Sequence, residues 1–167
     1  MIIMGIDPGL ANTGFGVVSK IQNLKSKIQN KLRCLDYGVI KTNPTLSAGD
    51  RLKKINNELN KLIKKYKPNV LAVESIYFFK NFKTAMPVSQ AKGVILLTAA
   101  KKKIPVFEIT PLQMKMAITG YGKAEKKQVQ KMIKVLLDLK EAPKSDDAAD
   151  ALGVALCCAF KLKIEGA

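Results

Sequence analysis

The sequence predicts an α/β protein with a mixed five-stranded central sheet and helices on both faces of that sheet. Its opening third contains three strand-like segments, at residues 1–7, 15–19 and 32–41, a pattern typical of an antiparallel meander. From Ser47 onward, helical and strand-like segments alternate, and residues 70–74 form a largely apolar run typical of a buried central strand. The element order is therefore βββ-α-β-α-β-α-α-α, which favours a mixed sheet covered on two sides.

Turn and helix signals separate the first elements. Residues 8–14 form a turn cluster, and the polar, lysine-rich residues 20–31 predict an exposed hairpin connection between the second and third strands. The helix that follows Ser47 carries apolar residues at helical spacing, with lysines on its opposite side. These apolar residues are Leu52, Ile55, Leu59, Leu62, Ile63 and Tyr66. Lys67-Pro68-Asn69 ends this helix.

The second half contains four predicted helices and one predicted strand. Residues 86–100 indicate a largely buried helix, residues 104–109 a strand, and Pro111 the start of a short helix. A helix over residues 124–139 follows, and the last helix has Ser145 as its N-cap. The 124–139 helix is expected to turn five apolar residues inward, namely Val129, Met132, Ile133, Leu136 and Leu137.

Composition favours a single globular domain, spanning residues 1–167, that binds a polyanion. Apolar residues make up 47% and charged residues 25%, with 29 basic against 13 acidic side chains and a net charge of +16. This excess indicates nucleic acid first and an acidic membrane surface second. The apolar stretch 151–160 is shorter than the ~20 residues of a membrane span, and residues 1–7 resemble a strand rather than a signal peptide. We therefore expect a cytoplasmic protein without a membrane partner.

Cysteine and histidine usage excludes several kinds of chemistry. The three cysteines, Cys34, Cys157 and Cys158, lack metal-ligand spacing, and the last two lie in an apolar helical run as buried thiols would. The chain contains no histidine, which excludes Ser-His and Cys-His nucleophile pairs and a histidine general base. Any catalysis must therefore depend on carboxylates, lysines or a metal ion.

Scarce carboxylates stand at the ends of the predicted core elements. Asp7 ends the first strand, Glu74 ends the fourth, and Asp147 and Asp150 lie three apart at the start of the last helix, where they share a face. Strand ends and a helix N-terminus can converge in a sheet covered by helices. Four such carboxylates supply the hard oxygen ligands that Mg²⁺ prefers, inside a basic protein suited to a nucleic-acid phosphate.

Each carboxylate also has a simpler interpretation. Asp7 before Pro8 and Gly9 could form a turn, and acidic residues in a first helical turn could complement the helix dipole. Glu74 resists such an explanation, because the preceding run is typical of a buried strand. The combination favours a metal site, with Asp146 as its least certain member.

Several motifs together identify a family resemblance. The opening Gly5-Ile6-Asp7-Pro8-Gly9 with Thr13-Gly14-Phe15-Gly16-Val17 resembles that of the RuvC Holliday-junction resolvases. The resemblance continues through Ala72-Val73-Glu74, Lys80-Asn81, Gln90-Ala91-Lys92-Gly93 and Pro105-Val106-Phe107-Glu108. It ends with Lys123-Ala124-Glu125-Lys126-Lys127-Gln128-Val129-Gln130 and Asp147-Ala148-Ala149-Asp150-Ala151-Leu152. These blocks span nearly the whole chain, and a lysine-rich insertion around residues 21–30 is the main departure.

The resemblance implies an RNase H-like fold, a homodimer and Mg²⁺-dependent nicking of four-way DNA junctions, with Mn²⁺ as a substitute and a branch-migration helicase as a possible partner. It assigns the four catalytic and metal-binding carboxylates to Asp7, Glu74, Asp147 and Asp150. It also assigns functional basic residues to Lys115 and Lys126, and a DNA-contacting aromatic ring to Tyr77. Two metal ions would clamp the scissile phosphate and leave 5′-phosphate and 3′-hydroxyl ends.

Basic residues elsewhere are candidates for DNA contact. Lys126 is the first candidate to offset charge in the transition state, although the strip it belongs to could be a solvated helix face. This basic strip consists of Lys123, Lys126, Lys127, Lys131 and Lys134. A second candidate is the aromatic stretch Tyr77, Phe78, Phe79 and Phe82 with Lys80 and Lys83 interleaved, although at least two of its rings are expected in the core or a dimer interface.

Three rival functions can be weighed against the sequence. A nuclease for another structured nucleic acid, such as an RNA–DNA hybrid, would share the fold and metals, and only the motif blocks argue against it. A non-catalytic basic nucleic-acid-binding module of the same fold would be expected to lack at least one carboxylate, yet all four are present. An actin-like ATPase requires a second domain, for which 167 residues leave no room.

Overall fold

The computed structural model describes residues 1–21, 31–75 and 82–162 of the chain. Its strands are β1 (Ile2–Asp7), β2 (Asn12–Ile21), β3 (Lys31–Lys41), β4 (Val70–Glu74) and β5 (Val106–Ile109). Its helices are α1 (Ala48–Tyr66), α2 (Phe82–Lys101), α3 (Pro111–Thr119), α4 (Lys126–Leu136) and α5 (Asp146–Lys161). This order confirms the predicted alternation of strands and helices.

The sheet is mixed, as the sequence predicts, and its strands lie in the order β3-β2-β1-β4-β5. The first three strands form an antiparallel meander, whereas β1, β4 and β5 run parallel. Parallel strands require crossover connections, which α1 and α2 supply. The parallel pairing of β1 with β4 brings the carboxyl ends of these two central strands to the same edge of the sheet.

Helices cover both faces and create two apolar cores. On one face, α1 and α2 bury Ile55, Leu59 and Ile95 against Met4 and Ile6 of β1. On the other face, α3, α4 and α5 pack a second core, in which α5 is buried along most of its length. No helix within the described ranges has both the length and the apolarity required to cross a membrane.

The predicted exposed connection over residues 20–31 is wrong at its beginning. The strand β2 continues to Ile21, and Lys20 is only 8% exposed. The Lys20 ammonium donates hydrogen bonds of 2.7 Å to the carbonyl oxygens of Ala159 and Leu162, at the C-terminus of α5. A lysine is stable there because it satisfies carbonyls that have no partner within the helix and because the cation complements the helix dipole. Residues 22–30 lie outside the described part of the chain.

Helix boundaries differ from prediction in ways with local causes. The helix α2 begins at Phe82 rather than at residue 86, and α4 is shorter than the predicted 124–139 segment. At the start of α4 the Glu125 amide donates a hydrogen bond of 2.9 Å to the Gln128 side chain, and Asp138 with a φ of 51° follows the end of the helix. Ser145 occupies the N-cap position of α5 as predicted, but its side chain makes no capping hydrogen bond.

One apolar residue of α4 was assigned to the wrong face. Val129 and Ile133 are buried at 3% and 0% exposure, and Leu137 just beyond the helix is buried as well. Met132 is 36% exposed, so the prediction that it turns inward is wrong. The positions 129, 133 and 137 are spaced by four residues and define one narrow stripe, and Met132 lies to the side of it.

The position of α5 depends on glycines in the first two strands. A β-carbon on Gly5 would lie 2.0 Å from the carbonyl oxygen of Ala151, and one on Gly14 would lie 2.0 Å from that of Asp147. Gly16 is similarly close to α5, with a nearest approach of 2.8 Å. These distances are far below ordinary carbon–oxygen contact, so only glycine lets the helix backbone lie directly on the sheet.

We expect Gly14→Ala to lower the free energy of unfolding by ~1–3 kcal/mol, because the added methyl group must push α5 away from β2. Gly49→Ala is a matched control, since the nearest atom to its β-carbon would be the Ser47 hydroxyl oxygen at 3.9 Å. This control should be neutral or more stable by up to ~1 kcal/mol. Urea unfolding measures the free energy of unfolding of both variants. Equal values for the two would contradict the conclusion that α5 packs directly on the backbone of β2.

Candidate active site

Asp7 and Glu74 lie side by side at the carboxyl ends of β1 and β4. Ile6 pairs with Val73, so each carboxylate follows a buried residue at the same level of the sheet. Ile6 and Val73 face the α1 and α2 side, and alternation therefore turns Asp7 and Glu74 toward α5. Both side chains are half-buried, and their carboxyl groups share a hydrogen bond.

The helix α5 brings the other two carboxylates to the same place. Asp147 and Asp150 lie in its first two turns at positions i and i+3, which share one face. Gly14, the strand partner of Asp7, touches the backbone of Asp147. Electrostatic interactions join Asp7 to Asp147 and Asp150, and all four predicted carboxylates therefore converge.

This concentration of carboxylates perturbs their protonation. The pKa of Asp7 is raised to about 9, chiefly by burial and further by Glu74 and the charges of Asp150 and Asp147. Burial and the charge of Glu74 raise the pKa of Asp150 to about 6. Burial also raises the pKa of Glu74, against the hydrogen bond from Asp7 and the positive charges of Lys126 and Lys115. Asp7, Glu74 and Asp150 therefore resist simultaneous ionisation, which is the condition that a bound cation relieves.

The donor set suits a hard divalent cation. All four side chains offer carboxylate oxygens, and the cluster contains neither a nitrogen nor a sulfur ligand. Within the described residues, no three acidic, cysteine or histidine side chains stand at ready-made ligand spacing.

A network of side chains holds the loop between β1 and β2, which follows Asp7. The Thr13 hydroxyl donates to the carbonyl oxygen of Gly9 at 2.6 Å, and the Thr42 hydroxyl donates to that of Leu10 at 2.6 Å. Arg51 of α1 in turn donates to the Thr42 hydroxyl at 2.8 Å. Sequence analysis did not identify Thr42 and Arg51, since no local pattern connects α1 with this loop.

Lys126 and Lys115 lie at the rim of the cluster. Lys126, at the start of α4, forms an ion pair of 3.1 Å with Asp146, and this hydrogen bond is the main cause of its raised pKa. Asp147 and Asp150 also raise the pKa of Lys126. Lys115 on α3 is half-buried and acts electrostatically on Glu74. The structure therefore brings both predicted basic residues to the carboxylates.

Asp146 differs in orientation from its neighbour Asp147. Its carboxylate accepts hydrogen bonds from Lys126 at 3.1 Å and from the Gln130 amide at 2.9 Å, both on α4. It thereby connects α4 with α5 and does not join the shared face of Asp147 and Asp150. This arrangement agrees with its ranking as the least certain ligand.

The remaining candidates for DNA contact have different positions. Lys123 and Lys127 are exposed beside the start of α4, and Lys131 and Lys134 extend the exposed strip along that helix. Tyr77 and Lys80 lie outside the described residues, as do the neighbouring Phe78 and Phe79. Lys83 belongs to the first turn of α2, and its side chain is outside the description.

Comparison with known proteins covers nearly the whole chain. The family described as "Crossover junction endodeoxyribonuclease RuvC" matches residues 3–158. The protein of that description from Alkaliphilus metalliredigens is 51% identical over 157 residues, which are 94% of this chain and 92% of the relative. The structure of Thermus thermophilus RuvC is 36% identical, with a TM-score of 0.85 over 96% of this chain and 94% of that one. The same protein in complex with Holliday junction substrate gives a TM-score of 0.86, at 36% identity over 96% and 93% of the two chains.

The mixed five-stranded sheet with helices on both faces and carboxylates at its central edge defines an RNase H-like fold. Within that class the matches are specific and nearly complete in length. The chain belongs to the RuvC family of crossover junction endodeoxyribonucleases.

The raised pKa of Asp7 predicts how the stability of the metal-free protein depends on pH. The folded protein retains a proton on Asp7 that the unfolded chain releases above its ordinary pKa of ~3.9. This contribution to stability is fully present below ~3.9 and is lost as the pH rises through about 9. We therefore expect the free energy of unfolding, measured in EDTA, to fall over this interval.

Asp7→Asn should remove that part of the slope and should exceed the parent in stability by ~0.5–2 kcal/mol at the alkaline end. Glu58→Gln on α1, where the Glu58 side chain is 38% exposed and pairs with Lys61, is the control and should keep the slope of the parent. Urea unfolding at a series of pH values measures all three proteins. A slope that is the same in Asp7→Asn as in the parent would contradict the assignment.

Proposed function

We propose that this protein is a Mg²⁺-dependent endodeoxyribonuclease that resolves four-way DNA junctions by paired symmetric nicks, in homologous recombination and repair. The convergence of Asp7, Glu74, Asp147 and Asp150 inside a protein of net charge +16 carries this proposal. Membership in the RuvC family and likeness to a structure that holds a Holliday junction support the same substrate. The nuclease domain spans residues 1–167, and a DNA substrate implies a cytoplasmic protein.

The four carboxylates would hold two divalent ions, with Mn²⁺ as a substitute for Mg²⁺. Bound ions of this kind supply Lewis acidity that makes water a better nucleophile and offsets charge on the phosphate, leaving 5′-phosphate and 3′-hydroxyl ends. The protein contributes a rigid support for the ligands, because β1 and β4 lie in the sheet and α5 lies on the glycines of β1 and β2. Fixed ligands of this kind avoid reorganisation during the reaction.

Basic side chains would bind and orient the DNA. Lys126 and Lys115 act electrostatically on Glu74, so a phosphate held at the carboxylates also faces these two cations. Lys123 and Lys127 are exposed beside them and would contact the DNA backbone, giving affinity without sequence readout. Tyr77, Lys80 and Lys83 remain proposed DNA contacts by resemblance alone.

An exposed apolar face of α2 supports a homodimer. Met86 is 71% exposed and Leu97 is 51% exposed, although both are apolar. Gly93 lies between them at helical spacing, and among the residues that the structure describes, no atom outside its own helical turn lies within 4 Å of the position of its missing β-carbon. Two copies joined by a two-fold axis would present two active sites to a junction of matching symmetry. A branch-migration helicase is a further proposed partner, by family resemblance.

Two alternatives make different experimental predictions. A non-catalytic DNA-binding module would bind junctions and cleave nothing with any metal. A nuclease for another structured nucleic acid would cleave an RNA–DNA hybrid in preference to a junction. Incubation with Mg²⁺ and a four-way junction, a linear duplex or a hybrid separates the three functions, and we expect paired symmetric nicks in the junction alone.

Replacement of Asp7, Glu74, Asp147 or Asp150 by the matching amide should abolish cleavage and leave junction binding intact, because metal ligands supply chemistry and lysines supply affinity. The increase in melting temperature caused by Mg²⁺ should shrink in parallel, which reports metal binding without activity. Ca²⁺, with its looser coordination, should support binding with little cleavage. A variant that is folded yet loses junction binding, or cleavage by the parent in EDTA, would oppose this mechanism.

Lys126→Ala should reduce the single-turnover rate on a junction that is already bound, because its ammonium lies close enough to act on Asp147 and Asp150. Lys127→Ala removes the same charge from the next position of α4 and should weaken binding alone. The slope of log affinity against log salt should drop by ~0.9 for each phosphate that the variant no longer binds. Equal rates for the two variants at saturating protein would reduce Lys126 to a binding role.

Leu97→Glu should convert a dimer into monomers, because it would place charges within an apolar interface. Val135→Glu is the matched control, since Val135 on α4 is 71% exposed and lies on a different face of the protein. Analytical ultracentrifugation measures the oligomeric state of both variants. A dimer that withstands Leu97→Glu would place the interface elsewhere.

A further inference from the structure

A cleft of about 570 Å³ opens beside the carboxylate cluster. It lies between the start of β2, the end of β3 and the segment that joins α4 to α5. Asp147 forms part of its wall, and the cleft therefore adjoins the proposed site of cleavage. Its volume falls in the range of ~300–1,000 Å³ that is typical of sites for small molecules and cofactors, which is the scale of a single nucleotide.

The topology explains why this space is open. Val39 pairs with Gly14, whose missing β-carbon points at α5, so the same face of β3 is turned toward the helix. Tyr37 and Lys41 lie two residues to either side of Val39 and share that face. However, β3 is an edge strand, and α5 lies over β1, β2 and only the beginning of β3, where Leu32 and Cys34 pack against the same core. The outer part of this face is therefore left uncovered.

The residues that line the cleft suit a nucleotide. Tyr37 is 37% exposed and offers the face of a ring for stacking on a base. Lys41 and Lys144 supply positive charge at the rim, and both are exposed. The Asn12 side chain faces Lys41 across the ladder, and its amide has no hydrogen-bond partner within the described residues, so it can read the edge of a base.

One negative charge in the cleft belongs to a weak ion pair. The carboxylate of Glu141 lies 3.9 Å from the Lys144 ammonium, with the two side chains 77% and 90% exposed. Exposed pairs of this length contribute little to stability. A DNA phosphate could therefore displace Glu141 from Lys144, and removal of Glu141 should favour binding rather than oppose it.

We propose that this cleft binds the nucleotide next to the scissile phosphate on the cleaved strand, with Tyr37 stacked on its base. Lys41 and Lys144 bind the adjacent phosphates, and Asn12 donates to or accepts from the edge of the base. The cleft lies on the β2–β3 side of Asp7, whereas Lys115 acts on Glu74 of β4 on its other side, so the strand passes from one basic group to the other through the active site. The proposal rests on the proposed function and adds a place where the identity of a base can influence cleavage.

Binding can be tested separately from cleavage. A junction carrying 2-aminopurine beside the expected nick is mixed with the Asp7→Asn variant in Ca²⁺, and stacking is measured as quenching of its fluorescence. We expect quenching with Tyr37 or Tyr37→Phe in this background, and its loss with Tyr37→Ala. Leu35→Ala removes another exposed apolar side chain from the same strand outside the cleft, and should leave quenching unchanged.

The second part of the test measures the affinity for the junction and the preference for particular bases beside the nick. Tyr37→Ala should weaken binding by ~5- to 150-fold, the loss expected for one stacked base. Lys41→Ala and Lys144→Ala should each lower the slope of log affinity against log salt by ~0.9, whereas Lys53→Ala on α1 should not change it. Glu141→Gln should tighten binding. With cleavage-competent protein, Asn12→Ala and Tyr37→Ala should narrow the range of single-turnover rates over junctions that differ only in the base on either side of the nick.

The outcomes separate this inference from the proposed function. A parent protein that cleaves no junction would overturn the function itself. A parent that cleaves, together with Tyr37→Ala and Asn12→Ala variants that keep its quenching, affinity and base preference, would overturn the cleft proposal and leave the function standing. Unchanged salt slopes in both lysine variants would likewise contradict the assigned phosphate contacts. Thermal melting confirms in each case that the variant is folded.

Discussion

The direct contact between α5 and the strands β1 and β2 is the constraint on which the rest of the structure depends. Glycines at positions 5, 14 and 16 remove the side chains that would separate helix from sheet, and the helix backbone approaches to 2.0 Å from where a β-carbon would stand. This contact seats the helix at the centre of one core. It also fixes the position of Asp147 and Asp150 relative to Asp7. The same contact therefore determines both the packing of the core and the arrangement of the carboxylates.

The carboxylate cluster imposes a cost on the protein that carries it. Four acidic groups share a half-buried space, and Asp7 retains a proton chiefly because it is buried and secondly because negative charges surround it. The surrounding positive charge of the protein, with Lys126 and Lys115 at the rim, reduces this cost and attracts DNA. Stability and activity are thus opposed at this site, as is common where charged groups are held together for catalysis.

The sequence was most informative where a residue's environment follows from its neighbours along the chain. The apolar run before Glu74, the turn after Asp7 and the helical spacing of Asp147 and Asp150 identified the elements and their order, and they predicted the four carboxylates on which the proposed function rests. Contacts made by packing were not readable. The pattern around Lys20 is that of an exposed loop, although the side chain is buried against α5. Met132 is an apolar residue of a type common in cores, and the sequence therefore predicts wrongly that it faces inward. No local pattern identifies Tyr37, because the cleft exists only since β3 is an edge strand.

The place of α5 in the chain has a consequence for synthesis of the protein. Translation produces β1 and β2 first and α5 last among the described elements, yet these three pack against one another. A nascent chain that has not reached residue 146 has the glycine surface exposed, lacks the helix of one core and holds only Asp7 and Glu74 of the cluster. On the proposed function, incomplete chains would therefore lack both one apolar core and half of the metal ligands, so cleavage of DNA would begin only after the ribosome has delivered the final helix.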